Sequence, residues 1–271
     1  MIGRVMGLLA GLCLATPALA DGPEPKARTE YTAYTLDDGE FKLGLWGLHY
    51  GITDRWQVGT HSIFWALGPN ATVKWHGLQS GPWSLGAKLG VFSINLSAFG
   101  VDEETAQLTA VPINLVGGYE WGDWGFHLAL NITQITGSGE GAVSTGDDED
   151  QNVDGLLAVD TTSLTPALEW RVGDHLALIF EANIMLEQSA SAQAKTTFTL
   201  DQQTEVDVFG GGDVADESEG FTGNWSVSLY WRWETFNLKV GGGYGNYHFP
   251  PLYVFLPQKS FTPQFDMFWR F

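Results

Sequence analysis

Only one cysteine occurs in the chain, Cys13, and it falls within the first twenty residues. Beyond that point neither a disulfide framework nor a cysteine metal site is available. Long apolar runs are missing too: after residue 20 nothing approaches the roughly 18 consecutive apolar residues of a spanning helix. Basic residues are scarce, 13 Lys and Arg against 32 Asp and Glu, a formal net charge of −19. Such an excess argues against nucleic acid or anionic surfaces as partners. Helical periodicity is absent as well, so a helical domain is excluded and an all-β chain is expected.

The amino end carries the marks of a secretory signal: Arg4, an apolar core from Met6 to Ala15, and the A-x-A site Ala18-Leu19-Ala20. Cys13 is not a lipoprotein cysteine, because Leu12 stands where a small residue is needed. Cleavage after Ala20 predicts a short periplasmic segment over 21–29 and one domain over 30–271.

In that domain, apolar and polar residues alternate. Trp83, Leu85, Ala87, Leu89 and Val91 interleave with Ser84, Gly86, Lys88 and Gly90; Trp225, Val227, Leu229, Trp231 and Trp233 interleave with Ser226, Ser228, Tyr230, Arg232 and Glu234. This spacing predicts about twelve strands near 30–37, 41–53, 56–67, 71–77, 83–96, 108–121, 124–135, 158–172, 175–187, 223–235, 237–248 and 260–271. In the second, the apolar phase moves from Phe41/Leu43/Leu45 to Trp46/Leu48/Tyr50, which predicts a bulge. Tight turns at Thr53-Asp54-Arg55, Gly122-Asp123, Gly173-Asp174 and Thr235-Phe236 alternate with longer loops at 97–107, 136–157, 188–222 and 249–259. Acids crowd into those loops. The segment 188–222 is β-prone from Thr196 to Val208, as if it extends its neighbours or folds back as a lid.

Alternation leaves open which face is inside, so a soluble sandwich or lipocalin-like barrel must be weighed against a membrane barrel. The secretory signal, the carboxyl end, an aromatic girdle and the loop asymmetry together favour the membrane. Phe265, Met267, Trp269 and Phe271 share one face, opposite Gln264, Asp266, Phe268 and Arg270. This aromatic strand ending on Phe271 resembles the terminal strand of Gram-negative outer-membrane β-barrels, which the barrel-assembly machinery reads. Tyr50-Gly51-Ile52-Thr53-Asp54-Arg55-Trp56-Gln57-Val58-Gly59 is similar to a strand–turn–strand of proteobacterial outer-membrane transporters. The resemblance implies a single antiparallel transmembrane barrel in the outer membrane, with lipid and lipopolysaccharide around it and both termini periplasmic. Trp56, Trp83, Trp121, Trp124, Trp170 and Trp233 all abut the short-turn rim on the apolar faces, as an interfacial girdle requires.

In this register the lumen receives Lys74, His76, Lys88, Glu120, His127, Glu169, Arg171, Glu181, Arg232, Glu234, Lys239, Asp266 and Arg270. Charges of both signs there suit either a constriction in a narrow pore for small solutes or ions, or ion pairs bracing a closed structural or surface-interaction barrel. Asp148, Asp150 and Asn152 keep the alternate spacing of a calcium loop, but Val153 takes the place of the turn glycine and no acid follows at the twelfth position, so the candidate is weak. Some outer-membrane barrels are lipid-modifying enzymes. Here His127 and Asn131 share a face but stand about 13 Å apart along a strand, and no His–Ser pair registers on a lipid face. The run Gly241 to Gly245 lacks the Lys-Ser/Thr of a phosphate loop. No cofactor and no catalytic residue are expected.

Overall fold

The computed structural model describes residues 31–95, 107–144, 150–201, 204–213, 222–249 and 254–271. The proposed signal and the segment 21–29 lie outside them. The strands are β1 (Phe41–Gly44), β2 (Leu48–Thr53), β3 (Trp56–Thr60), β4 (Asn70–Ser80), β5 (Trp83–Asn95), β6 (Gln107–Trp121), β7 (Trp124–Ser144), β8 (Asp150–Arg171), β9 (Leu176–Asp201), β10 (Thr204–Asp213), β11 (Gly223–Arg232), β12 (Phe236–Phe249) and β13 (Val254–Arg270). Twelve of them close an antiparallel barrel. The thirteenth, β10, pairs only with the far half of β9, at Ser191 to Asp201, while β11 takes the near half at Leu176 to Ile184.

Closure depends on the two chain ends. Lys42, Leu43 and Gly44 of β1 lie opposite Arg270, Trp269 and Phe268 of β13. Phe41 and Phe271 exchange both backbone hydrogen bonds, at 3.1 and 2.9 Å, so the last residue completes the seam. The outward row of that strand is the one expected, with Phe265, Trp269 and Phe271 exposed and Phe268 and Arg270 buried inward.

Every long strand keeps the same division of faces. Leu85, Leu89, Val91, Ile113, Leu115, Phe126, Leu128 and Phe180 are exposed outward, whereas Lys74, Ser84, Asn114, His127, Thr165 and Glu181 are buried inward. Contiguous apolar surface on this scale far exceeds the few hundred Å² tolerated by a soluble monomer. The rings at the short-turn rim touch in series. Trp83 (62% exposed) packs on Tyr119 at 4.5 Å, Tyr119 on Trp121 at 5.5 Å, and Trp124 stacks on Trp170 at 5.5 Å and 8°. Trp56 meets Trp75, and Trp233 stacks on Phe236, which in turn meets Trp269.

Four expectations are corrected. Residues 31–37 are not a wall strand; the wall begins at Phe41. The predicted strand 41–53 is two strands, because the phase change at Leu45–Trp46 is a tight turn in which Gly44 and Gly47 bond each other, and not a bulge. The hairpin lets both apolar phases face outward. The predicted strand 56–67 stops at Thr60, where the Asn70 carboxamide oxygen accepts from the Thr60 hydroxyl (2.9 Å) and the His61 N–H (2.6 Å). A short 3₁₀ turn at Ser62–Phe64 then carries Phe64 inward against Phe92, in a buried cluster with Ile94, Ala110 and Ile135. Finally, much of the predicted loops 136–157 and 188–222 is strand. β7, β8 and β9 run 21, 22 and 26 residues, about twice the 9–11 that cross a bilayer. On the opposite wall β1, β2 and β3 have only 4, 6 and 5, so the long-strand rim is steeply slanted.

Candidate functional site: the barrel lumen

Residues 31–36 lie inside the barrel, and Asp37, Asp38 and Gly39 are exposed at its short-turn rim. Thr32, Ala33, Thr35 and Leu36 are all buried, so the alternation that suggested a strand has no outward face. The segment is held by wall groups: the Leu36 N–H donates to Gln57 Oε1 (3.0 Å), the Thr35 hydroxyl to the Asp54 carbonyl (2.7 Å), and the Asp38 N–H to Asp54 Oδ1 (2.9 Å). The Lys74 ammonium donates to the Tyr34 carbonyl. Close approach needs bare backbone on the wall. A Cβ on Gly51 would sit 2.0 Å from the Asp37 carbonyl oxygen, and one on Gly86 would sit 2.8 Å from that of Ala33. Burial and the neighbouring Glu120 carboxylate push the Tyr34 phenol up to about 12, so it stays neutral.

Around this segment runs a collar of ion pairs. Arg270 Nε and its terminal nitrogen donate to the two oxygens of Glu40 at 2.8 and 2.7 Å, with both side chains only 2–3% exposed. Arg171 bridges Glu120 (2.9 Å) and Glu169 (3.4 Å), and Arg232 approaches Glu169 at 3.9 Å. Glu120, Glu169, Arg171, Arg232 and Arg270 were expected in the lumen and are gathered here. Glu234 is not; β11 ends at Arg232, which leaves Glu234 exposed in the turn before β12.

Above the segment the lumen opens into a cavity of about 410 Å³, lined among others by Tyr31, Lys42, His49, Lys74, Lys88, Asn114, Glu181, Lys239 and Asp266. Lys239 lies 3.8 Å from Glu181 and opposite Asp266 in the β12–β13 register. Lys42 covers the Phe268 ring at 3.7 Å. His76 meets the Tyr34 ring edge-on at 5.3 Å.

One belt of the wall is held by amides that the sequence reading did not single out. Asn114 donates to Asn131, Asn131 to Ser163 and Thr165, Thr165 to Asn183 (2.7 Å), Asn183 to Asn224 (3.0 Å), and Asn224 to the Asn246 carbonyl (2.8 Å). The chain crosses β6, β7, β8, β9, β11 and β12. An inward Asn in five of these six strands, all but β8, was the available signal. His127, 1% exposed, belongs to this same inner face and is remote from lipid. Asp148 lies outside the described residues, while Asp150 and Asn152 are paired strand residues of β8 and not part of a loop. Among the described residues, no cluster of three His, Cys, Asp or Glu is arranged for a metal ion.

These features define a closed β-barrel with an apolar exterior and a charged, partly filled interior. No family model matches the chain, and no curated protein matches it in sequence. Among solved structures it is similar to the toluene transporter TodX of Pseudomonas putida, at 12% identity and a TM-score of 0.45, covering 94% of this chain and 71% of that one. It is similar also to the deltaS2 mutant of the TodX monoaromatic hydrocarbon channel, at 8% identity and a TM-score of 0.27, covering 87% and 90%.

Proposed function

We propose that the protein is an integral outer-membrane barrel, not an enzyme, that gives small solutes or ions a narrow passive path, with residues 31–40 closing its short-turn end. The observation that carries this reading is the cavity of about 410 Å³ inside the wall, lined by charged groups and stopped below by a segment of the chain itself. A bracing network alone needs no such space. The outer-membrane setting is supported by the outward apolar belt, the aromatic rim and the secretory signal. It makes lipid, lipopolysaccharide and the assembly machinery the partners. Planar-bilayer recording tests the path. Wild-type protein is expected to give small steps, and Gly51→Val, whose side chain displaces the Asp37 carbonyl, larger or more frequent ones. Two folded proteins without steps would refute the path. They would favour a closed structural or surface-interaction barrel, a reading that the Arg–Glu collar supports on its own.

A further inference from the structure

The interior charges fall into two groups. In the collar, Glu40, Glu120 and Glu169 face Arg171, Arg232 and Arg270, one acid for each base. In the cavity, the acids that face Lys42, Lys74, Lys88 and Lys239 among the described residues are Glu181 and Asp266. Glu181 lies by Lys239, and Asp266 acts on both Lys239 and Lys42. The opposite side has a concentration of positive charge: Lys74 and Lys88 stand directly across from each other on β4 and β5, and Asn114 follows Lys88 on β6. Like charges placed opposite each other weaken a sheet.

Lys74 has the Tyr34 carbonyl as a partner. Lys88 makes no hydrogen bond or ion pair with any described residue. His49, on β2 opposite Lys42, lines the same cavity, and its Nδ1 makes no hydrogen bond to a protein atom. Lys88 is half-buried against that cavity, and a cation drawn partly out of water without a counter-charge gains from a ligand that supplies one. Lysine ammonium, a carboxamide and a ring nitrogen are donors suited to an oxyanion.

We propose that Lys88, with Lys74, Asn114 and His49, forms a binding site for a small oxyanion, a carboxylate or a phosphate. The site deepens the passage reading by naming the solute class, and it rests on that reading only for the claim that the anion moves through. Binding itself requires no conduction, so the two can fail separately.

The test is calorimetric titration of the detergent-solubilised full-length barrel at low ionic strength with sodium benzoate, sodium phosphate and benzamide. Lys88→Gln and Lys88→Arg are compared with wild type, each first shown to be folded by its faster migration when unboiled; Lys88→Met replaces the first if that variant does not fold. At least one anion is expected to bind while uncharged benzamide does not. Lys88→Gln should weaken binding about tenfold or more, the size of one charge-assisted hydrogen bond, and Lys88→Arg should keep most of it. Benzoate binding alone assigns an organic carboxylate, and phosphate alone an inorganic anion. Benzamide binding as tightly as benzoate, an unchanged affinity in Lys88→Gln, or no binding of either anion would overturn the site. A silent bilayer with intact binding would remove the passage reading and leave the site.

Discussion

The Glu40–Arg270 pair offers the sharpest perturbation of the closed end. Two hydrogen bonds of 2.8 and 2.7 Å join side chains that are nearly inaccessible, and Glu40 also accepts from the Asp37 N–H at 3.0 Å. Glu40→Gln keeps the shape and removes the charge. Arg270 then faces Lys42, its partner across the β1–β13 seam, with less counter-charge between them. Breaking one partner of a buried pair costs about 3–5 kcal/mol, an equilibrium shift on the order of 100- to 1,000-fold or more. The strain falls where the wall meets residues 31–40, and that segment has fewer bonds to lose than the barrel. A thiol reports it cleanly. In a Cys13→Ala background, Leu36→Cys would carry the sole cysteine at a position that is 0% exposed. Maleimide labelling should be slow in that background and on the order of 100-fold faster with Glu40→Gln added. Pairing Glu40→Gln with Arg270→Met removes both charges and should return the rate toward the slow value. An unchanged rate in folded Glu40→Gln protein would refute the idea that this pair holds the segment.

Three further outcomes follow from the wall. Asn131→Leu leaves the Asn114 amide and the Thr165 hydroxyl without their shared partner, so unfolding from lipid vesicles by urea should become easier by about 1–3 kcal/mol. Trp124→Ala removes the flattest stack of the rim, on Trp170, and should cost about 1 kcal/mol in the same titration while leaving conductance unchanged. Deleting Phe271 removes both backbone bonds to Phe41 and should lower the yield of the fast-migrating form on unboiled gels, in refolding without any assembly factor as well as in cells.

The wall was legible because its physics has a period. Each strand must offer one face to lipid and the other to the lumen, so Trp124, Phe126, Leu128, Leu130 and Ile132 and their inward neighbours announce both faces at once. The girdle and the lumenal positions of Glu169, Arg171 and Arg232 follow from that register alone. Whatever departs from the period was misread. At Leu45–Trp46 a change of phase has two physical solutions, a bulge or a reversal of direction; the glycines on either side, Gly44 and Gly47, point to the reversal, since their backbones bond each other there. Along β7 to β9 the strands outrun the bilayer. Beyond the outward row ending at Ile132 there is no apolar face to mark, so the pattern fades at Gln134 while the pairing continues to Ser144.

The lumen hides more than the wall does, because its contents are set by contacts across the barrel. Residues 31–37 alternate like a strand, yet from Tyr31 to Leu36 both faces are covered, and only the glycines opposite them, Gly51 and Gly86, record that a chain passes there. Glu40 stands between two predicted strands and finds its partner 230 residues away. That distance is informative in itself. The segment that fills the barrel leads directly into β1, the strand that β13 must reach to close the wall, so one ion pair fastens the filling and the seam together. Arg270 can meet Glu40 only when β1 and β13 are in register. The segment is therefore locked by closure of the barrel, and a wall that failed to close would leave Glu40 without its guanidinium partner.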